Sequence, residues 1–211
     1  MKRTFSSELF QALPIVGIMR GVPSEMLPPL LEAAREGGLT NVEITMNTPG
    51  AAEQIRVACD ILGSRVNVGA GTVTSVALLE SALEAGAGFI VTPTLAVPVI
   101  ERCVRLGVPV FPGAFSPSEI FRAWEMGATM VKVFPADSLG PGYLRSLKAA
   151  LPSLRLMPTG GVDLSTVQSY RASGADAFGI GSPLFRPDRI LASDWPWIRT
   201  QCELFSQALR P

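Results

Sequence analysis

Short apolar runs alternate with helical segments eight times along the chain, and this alternation restricts the fold more than any other feature. The runs are rich in Val, Ile and Leu and almost continuously apolar, as expected of parallel strands that are covered on both faces. The pattern predicts a single α/β domain over residues 1–211, a (β/α)8 TIM barrel with a short N-terminal helix at about 7–12. The predicted strands are 14–20, 41–46, 66–71, 88–91, 108–111, 129–135, 154–157 and 175–180.

An open doubly wound sheet is the alternative architecture. A dinucleotide-binding sheet of this kind would need Gly-x-Gly-x-x-Gly after its first strand, whereas this chain has Arg20-Gly21-Val22 there. A length of 211 residues falls within the range of one α/β barrel. The barrel is therefore the favoured fold.

The composition excludes several classes of function. The chain contains no histidine, which removes histidine-ligated zinc and Ser-His-Asp catalysis. Its 18 basic residues balance 18 acidic ones without a basic run, so it lacks the charge pattern of a nucleic-acid-binding protein. Cys59, Cys103 and Cys202 have no paired spacing, and neither a secretory signal nor a membrane-spanning run is found. We expect a cytoplasmic protein that binds neither nucleic acid nor membrane.

A lysine lies in the middle of the sixth predicted strand. Burial of an unpaired ammonium is costly, so such a group usually loses its proton. The other two lysines, Lys2 and Lys148, lie at the N-terminus and on a polar helix. Lys132 is thus the one amine that desolvation could make nucleophilic near neutral pH. The alternative is a lysine that reaches the strand end and pairs with a carboxylate.

Glu43 is the one carboxylate in the middle of a predicted strand. Asp176 begins its strand, at the opposite rim, where we expect a stabilising role. Active sites of (β/α)8 barrels lie at the C-terminal ends of the strands, so Glu43 and Lys132 are predicted to meet in one catalytic site. A structural salt bridge between them is the alternative, although a buried ion pair adds little stability.

Glycine-rich turns follow the seventh and eighth predicted strands. Thr159-Gly160-Gly161 and Gly181-Ser182 offer backbone N–H groups beside helix N-termini, where anions are favoured. In this fold a phosphate is often bound by these two loops, so a phosphate site is predicted; ordinary turns are the alternative. The turn Gly69-Ala70-Gly71-Thr72 could hold a carboxylate in the same way. Phe134 and Pro93 are predicted to line the rim beside the lysine.

Seven short motifs occur in order over nearly the whole chain. They are VEIT (42–45), VGAGTV (68–73), VTP (91–93), FPG (111–113), VKVFP (131–135), PTGGV (158–162) and GIGS (179–182). Together they resemble the bacterial class I aldolases that cleave 2-keto-3-deoxy-6-phosphogluconate (KDPG), an intermediate of the Entner–Doudoroff pathway, or its galactonate epimer. The resemblance implies catalysis without metal or cofactor, through a Schiff base, in a homotrimer.

The resemblance also implies a role for each matching residue. Lys132 is similar to the Schiff-base lysine of the family, and Glu43 to its proton-transferring carboxylate. The residues implied at the pyruvate end are Thr72, Pro93 and Phe134, and those implied at the phosphate end are Gly160, Gly161, Gly181 and Ser182.

Three positions favour different epimers. Asn47 stands where gluconate-type enzymes often carry arginine, and Ile18-Met19-Arg20-Gly21 resembles the galactonate branch, with Arg20 contacting the substrate carboxylate instead. Thr159 matches the gluconate branch, since the galactonate type tends to have valine. One hydroxyl could change the preference by about 1 kcal/mol. We take the gluconate substrate as the expectation, with the galactonate epimer and 4-hydroxy-2-oxoglutarate as alternatives.

The residues alone leave two other functions open. A phosphosugar isomerase or epimerase would use Glu43 as base and Lys132 as electrostatic partner. A non-catalytic barrel would bind a phosphorylated sugar acid without cleaving it. The resemblance favours an aldolase of the lyase class, with pyruvate and glyceraldehyde 3-phosphate as products.

Overall fold

The structure, a computed structural model, describes residues 4–209 as parallel strands alternating with helices. Each predicted strand overlaps an observed one, because the apolar runs are buried on both faces. The strands are β1 Ile15–Met19, β2 Asn41–Thr45, β3 Asn67–Gly71, β4 Ile90–Val91, β5 Val110–Phe111, β6 Gly113–Ala114, β7 Val131–Val133, β8 Leu156–Pro158 and β9 Phe178–Ile180.

Ten α-helices connect and flank these strands within the described residues. Their amphipathic faces cover the outside of the sheets with apolar side chains. The helices are α1 Ser7–Ala12, α2 Leu27–Glu36, α3 Ala51–Leu62, α4 Val76–Glu84, α5 Val97–Leu106, α6 Pro117–Glu125, α7 Gly140–Ala150, α8 Val167–Ala172, α9 Pro187–Leu191 and α10 Trp195–Leu209. Over residues 4–209, none of them combines the length and apolarity that crossing a bilayer requires.

The strands form two parallel sheets, so the prediction of one closed sheet of eight strands is corrected. The order is β5-β4-β3-β2-β1-β9 in one sheet and β6-β7-β8 in the other. The predicted fifth strand contains β5 and ends before Pro112, which lacks an N–H donor. The short strand β6 follows this proline, was not predicted and belongs to the other sheet. At the other junction the sheets are connected by an isolated bridge between Thr159 and Gly179 and by a hydrogen bond of 2.9 Å from Asp176 N to Leu156 O. The α/β class with parallel strands is confirmed.

The first helix packs against the N-terminal ends of the strands. Phe5 and Phe10 meet the ring of Phe111 at centroid distances of 6.3 and 5.5 Å. Ser6 exchanges two hydrogen bonds of 2.8 Å with the side chain of Asn67, which also donates to Asn41. This end of the structure is therefore closed by packing and by satisfied polar groups.

Asp176 has the stabilising role that its position predicted. Its Oδ2 accepts hydrogen bonds from Lys148 Nζ at 2.7 Å and from Leu156 N at 2.8 Å. Lys148 also donates to the Leu154 carbonyl oxygen. Lys148 is thus committed to a structural ion pair, which leaves Lys132 as the remaining lysine within residues 4–209.

Candidate active site

Lys132 and Glu43 are both buried, with 3% and 1% of their surfaces exposed. Lys132 lies on β7, paired in register with Gly113 and Met157. Glu43 lies on β2, paired with Ile18 and Gly69. The two groups influence each other electrostatically, so the fold brings the predicted pair within interaction range.

The amine of Lys132 has a lowered pKa. Burial is the main cause, the negative charge of Glu43 opposes it, and the positive charge of Arg20 adds to it. Nζ lies 4.9 Å from the centre of the Phe134 ring. Within residues 4–209 it has no carboxylate within ion-pair distance, so the alternative of a structural salt bridge is wrong for this geometry. An amine in this state can act as a nucleophile.

The carboxyl group of Glu43 has a raised pKa. Burial raises it, while the positive charges of Lys132 and Arg20 lower it. Neither oxygen has a hydrogen-bond partner among the described residues. The carboxyl group lies so close to Gly71 that a Cβ there would collide with Oε1. A buried carboxyl group with a raised pKa can exchange a proton near neutral pH.

A cavity of about 440 Å³ opens at the C-terminal ends of β1, β7, β8 and β9. It brings together seven of the predicted site residues, which are Arg20, Phe134, Thr159, Gly160, Gly161, Gly181 and Ser182.

The cavity has further lining residues that the sequence analysis missed. They are Ile18, Val162, Asp163, Gly179, Pro183, Phe185 and Pro187. Position was the one available signal for the first five, which lie on β1 or β9 or within five residues after β8 or β9. Phe185 and Pro187 lie further along the chain.

The backbone of both glycine-rich turns is suited to an anion. Gly160 and Gly161 have φ angles of 90° and 69°, which favour glycine. Within residues 4–209 the N–H groups of Gly161 and Ser182 donate to no other backbone group. Thr159 is buried, and its side chain lies against Gly179, where a Cβ would collide with Oγ1. The predicted phosphate loops thus share one cavity with a hydroxyl.

Five predicted site residues do not line this cavity. Lys132 and Glu43 lie beyond it and are adjacent to it through Phe134 and Arg20. The other three are Asn47, Thr72 and Pro93, which follow β2, β3 and β4 at the same edge of the sheets.

The three residues outside the cavity differ in exposure and conformation. Asn47 is exposed, whereas Thr72 and Pro93 are half-buried. Thr72 has a φ of 56°, an uncommon value for a β-branched residue. The structure therefore places them at the predicted rim without showing a contact to the lysine.

The described residues contain no cluster of metal-binding side chains. Nowhere in residues 4–209 do three or more Cys, Asp or Glu side chains gather in a way that could hold an ion. Burial raises the pKa of Cys103 and of Cys202 to about 12, so neither thiol is a ready nucleophile.

Comparison with known proteins identifies one family. A family model for "KDPG and KHG aldolase" matches residues 7–201. A 2-dehydro-3-deoxy-phosphogluconate aldolase of Treponema pallidum is 38% identical over 172 residues, covering 78% of this chain and 80% of the relative. A 2-dehydro-3-deoxy-6-phosphogalactonate aldolase of Escherichia coli is 34% identical over 175 residues, covering 82% and 85%. Both epimers thus occur among the relatives.

A solved structure of similar fold captures a covalent intermediate. It is the KDPG aldolase of Legionella pneumophila with pyruvate held at low pH as a covalent carbinolamine. That protein aligns with a TM-score of 0.86 at 26% identity, covering 92% of this chain and 95% of its own.

Proposed function

The chain belongs to the KDPG and KHG aldolase family, and we propose that it cleaves KDPG to pyruvate and glyceraldehyde 3-phosphate through a Schiff base on Lys132. It is an aldolase, and hence a lyase. The observation that carries the proposed chemistry is a buried lysine with a lowered pKa and no ion-pair partner, next to a buried carboxyl group with a raised pKa.

The reaction begins when neutral Lys132 Nζ adds to the C2 ketone and forms a carbinolamine. Loss of water gives a cationic iminium, which accepts electrons. Glu43, directly or through one water, removes the proton of the C4 hydroxyl, and the C3–C4 bond breaks. The electron pair of the C3–C4 bond moves towards the iminium and forms the enamine, and glyceraldehyde 3-phosphate leaves. Protonation at C3 and hydrolysis of the iminium release pyruvate and restore the amine.

The rest of the substrate is proposed to bind in the cavity at the C-terminal ends of the strands. The N–H groups of Gly161 and Ser182 are the proposed donors to the phosphate, and Gly160 forms the turn that presents Gly161. Gly181 allows the second loop to approach it closely. Thr72, Pro93 and Phe134 are the proposed contacts of the pyruvate end. We propose that no metal ion or organic cofactor takes part, so turnover should continue in the presence of a strong chelator.

Trapping with borohydride tests the Schiff base. Treatment with pyruvate and borohydride should add one reduced pyruvate to the chain, at Lys132, as read by peptide mass spectrometry. Lys132→Arg should abolish both the adduct and turnover, whereas Lys148→Arg, the matched control, should retain both. Unmodified protein that still releases pyruvate would refute the mechanism, and absence of both adduct and pyruvate release would favour the isomerase or the binding protein.

The galactonate epimer is the second candidate substrate, because both kinds of relative are similarly close. Thr159, which matches the gluconate branch, and Arg20, which belongs to the galactonate-type pattern, both line the cavity, so its lining carries a signal for each epimer. Kinetics on the two epimers side by side decide the question. Thr159→Val should lower the preference for KDPG about tenfold; an unchanged ratio of kcat/KM values would exclude Thr159 from the choice of epimer.

We also propose that the two sheets together form the (β/α)8 barrel. Two hydrogen bonds support this: Thr129 N donates to Val110 O at 3.0 Å, and Lys132 N donates to Pro112 O at 2.8 Å. The segment 129–132, which leads into β7, is thus hydrogen-bonded both to β5 and to Pro112, the residue between β5 and β6.

A homotrimer is proposed for the assembly. Phe115 and Phe121 expose 42% and 39% of their surfaces beside and on α6, as expected of a subunit contact. Light scattering should give about three times the chain mass of 22.4 kDa. A cytoplasmic location stays a prediction.

A further inference from the structure

Arg20 is placed to bind an anion, but its own surroundings do not hold it. It directly follows β1, is exposed and lines the cavity beside the glycine-rich turns. Within residues 4–209 it forms no ion pair. A long side chain loses rotamer freedom when it binds a ligand. How well Arg20 binds an anion therefore depends on how firmly the adjacent backbone is fixed.

The backbone after Arg20 is fixed by a threonine of the neighbouring loop. The N–H of Gly21 donates to Thr48 Oγ1 at 2.9 Å. Gly21 has a φ of 63° and so turns the chain sharply at this point. Thr48 is buried, although it belongs to the turn after β2. One side-chain oxygen thus connects the loop that carries Arg20 with the loop that follows the strand of Glu43.

Thr48 is itself held by the end of β2. Its Oγ1 shares a hydrogen bond of 3.1 Å with Oγ1 of Thr45, which is fully buried. Its backbone N–H donates to Thr45 O at 2.9 Å. Thr45 is two residues beyond Glu43 on the same face of the strand. The Gly21 amide is therefore connected, through the hydroxyl groups of Thr48 and Thr45, to the strand that carries Glu43, the proposed proton-transfer group.

We propose that Thr48 is a positioning residue, which fixes the Gly21 amide so that the guanidinium of Arg20 faces an anionic group of the substrate in the cavity. The inference rests on the proposed function, because the anionic group is that of a phosphorylated keto acid. Gln54 holds the later part of the same loop by donating to Val22 O at 2.8 Å. Of these two contacts, the one that Thr48 makes, to Gly21, is the nearer to Arg20 along the chain.

Steady-state kinetics of Thr48→Val test the proposal. Valine keeps the shape of threonine but removes the oxygen that accepts from Gly21. We expect KM for the cleaved epimer to rise about tenfold, with kcat within about twofold of the parent, because Lys132 and Glu43 remain in place. Thr48→Ser, which keeps the hydroxyl, should restore the parent KM.

A double variant separates positioning from a general structural effect. In an Arg20→Met background, Thr48→Val should change KM by no more than about twofold, because the group that it positions is gone. Thr40→Val is the matched control. Thr40 directly precedes β2, at the end opposite Thr45, and its Oγ1 donates to Leu13 O. The kinetics of this variant should equal those of the parent.

Three results would overturn the proposal. They are an unchanged KM in Thr48→Val, a fall in kcat alone, or a full effect of Thr48→Val in the Arg20→Met background. If Thr48→Val does not fold, Thr48→Ala in place of it gives the same comparison. A parent protein that cleaves neither epimer refutes the proposed function instead, so the two failures are distinguishable.

Discussion

The charge state of Lys132 depends on two neighbouring charges that act in opposite directions. Glu43 raises the pKa of Lys132 and Arg20 lowers it, while burial lowers it most. Glu43→Gln should therefore move the midpoint for trapping pyruvate to lower pH, and Arg20→Met should move it to higher pH. The measurement is the equilibrium yield of the borohydride-reduced adduct as a function of pH.

An exposed arginine distant from the site provides the control for these shifts. Arg56 pairs with Glu53 on α3, so Arg56→Met should leave the midpoint unchanged. Shifts of the same sign in Glu43→Gln and Arg20→Met would contradict the electrostatic account of Lys132.

Gly71 is required for the position of the Glu43 carboxyl group, because a Cβ at Gly71 would overlap Oε1. Gly71→Ala should displace the carboxyl group and lower kcat about 100-fold, with little loss of thermal stability. In a Glu43→Gln background the same change should have almost no further effect on kcat. Gly142→Ala is the matched control, since its Cβ would meet nothing within 4 Å. An equal loss of kcat with and without Glu43 would show that Gly71 acts by another route.

The residues predicted best from the sequence are charged side chains at positions that the apolar pattern places in the interior. A lysine and a glutamate within apolar strands are visible in the sequence because such positions rarely carry charge. Gly71 could not be assigned this role in advance, since a glycine in a turn has many explanations. Thr48 was not recognised either, because the hydrogen bond to Gly21 joins residues 27 positions apart.

At the level of elements, the short helix α1 is the least expected contributor to stability. Its Phe10 is buried and lies 5.5 Å from the Phe111 ring, at the end of the structure remote from the cavity. Phe10→Ala should lower the free energy of unfolding by about 3–5 kcal/mol while KM and kcat stay within about twofold at a temperature where the variant is folded. Urea denaturation and steady-state kinetics are the measurements. A large loss of kcat in folded Phe10→Ala would show that the helix also shapes the active site.

The elements themselves were largely predictable, and the differences have local causes. The apolar runs located every strand except β6, which follows Pro112 and has only two residues. Helix α8 begins only at Val167, because Asp163 Oδ1 accepts from the N–H groups of Ser165 and Thr166 and forms a turn before it. Helix α9 has five residues, too few to show a helical period in the sequence.

For the whole molecule, the site is divided between two sheets that no local pattern could join. Glu43 lies in the six-stranded sheet and Lys132 in the three-stranded one. Their common location was inferred from the rule that parallel strands present their C-terminal ends at one edge. The cavity volume and its apolar lining residues depend on loop conformations, and these were beyond the reach of the sequence.

A buried amine used for chemistry should reduce the stability of the whole chain. Lys132 is almost fully buried and gains no ion pair within residues 4–209, so Lys132→Met should abolish turnover and yet raise Tm by about 2–4 °C, equivalent to about 1 kcal/mol. Lys148→Met, which breaks the ion pair with Asp176, should instead lower Tm.

The pH dependence of this stabilisation has a defined sign. Because the folded pKa of Lys132 lies below its ordinary value of 10.5, the unfolded chain binds more protons between those two values, and the stability of the parent rises with pH there. The advantage of Lys132→Met in Tm should therefore be full below the folded pKa of Lys132 and shrink as the pH rises from there towards 10.5. Calorimetry of both proteins over this range measures it. A Lys132→Met variant less stable than the parent at pH 7 would mean that the lysine serves the fold, as the salt-bridge alternative required.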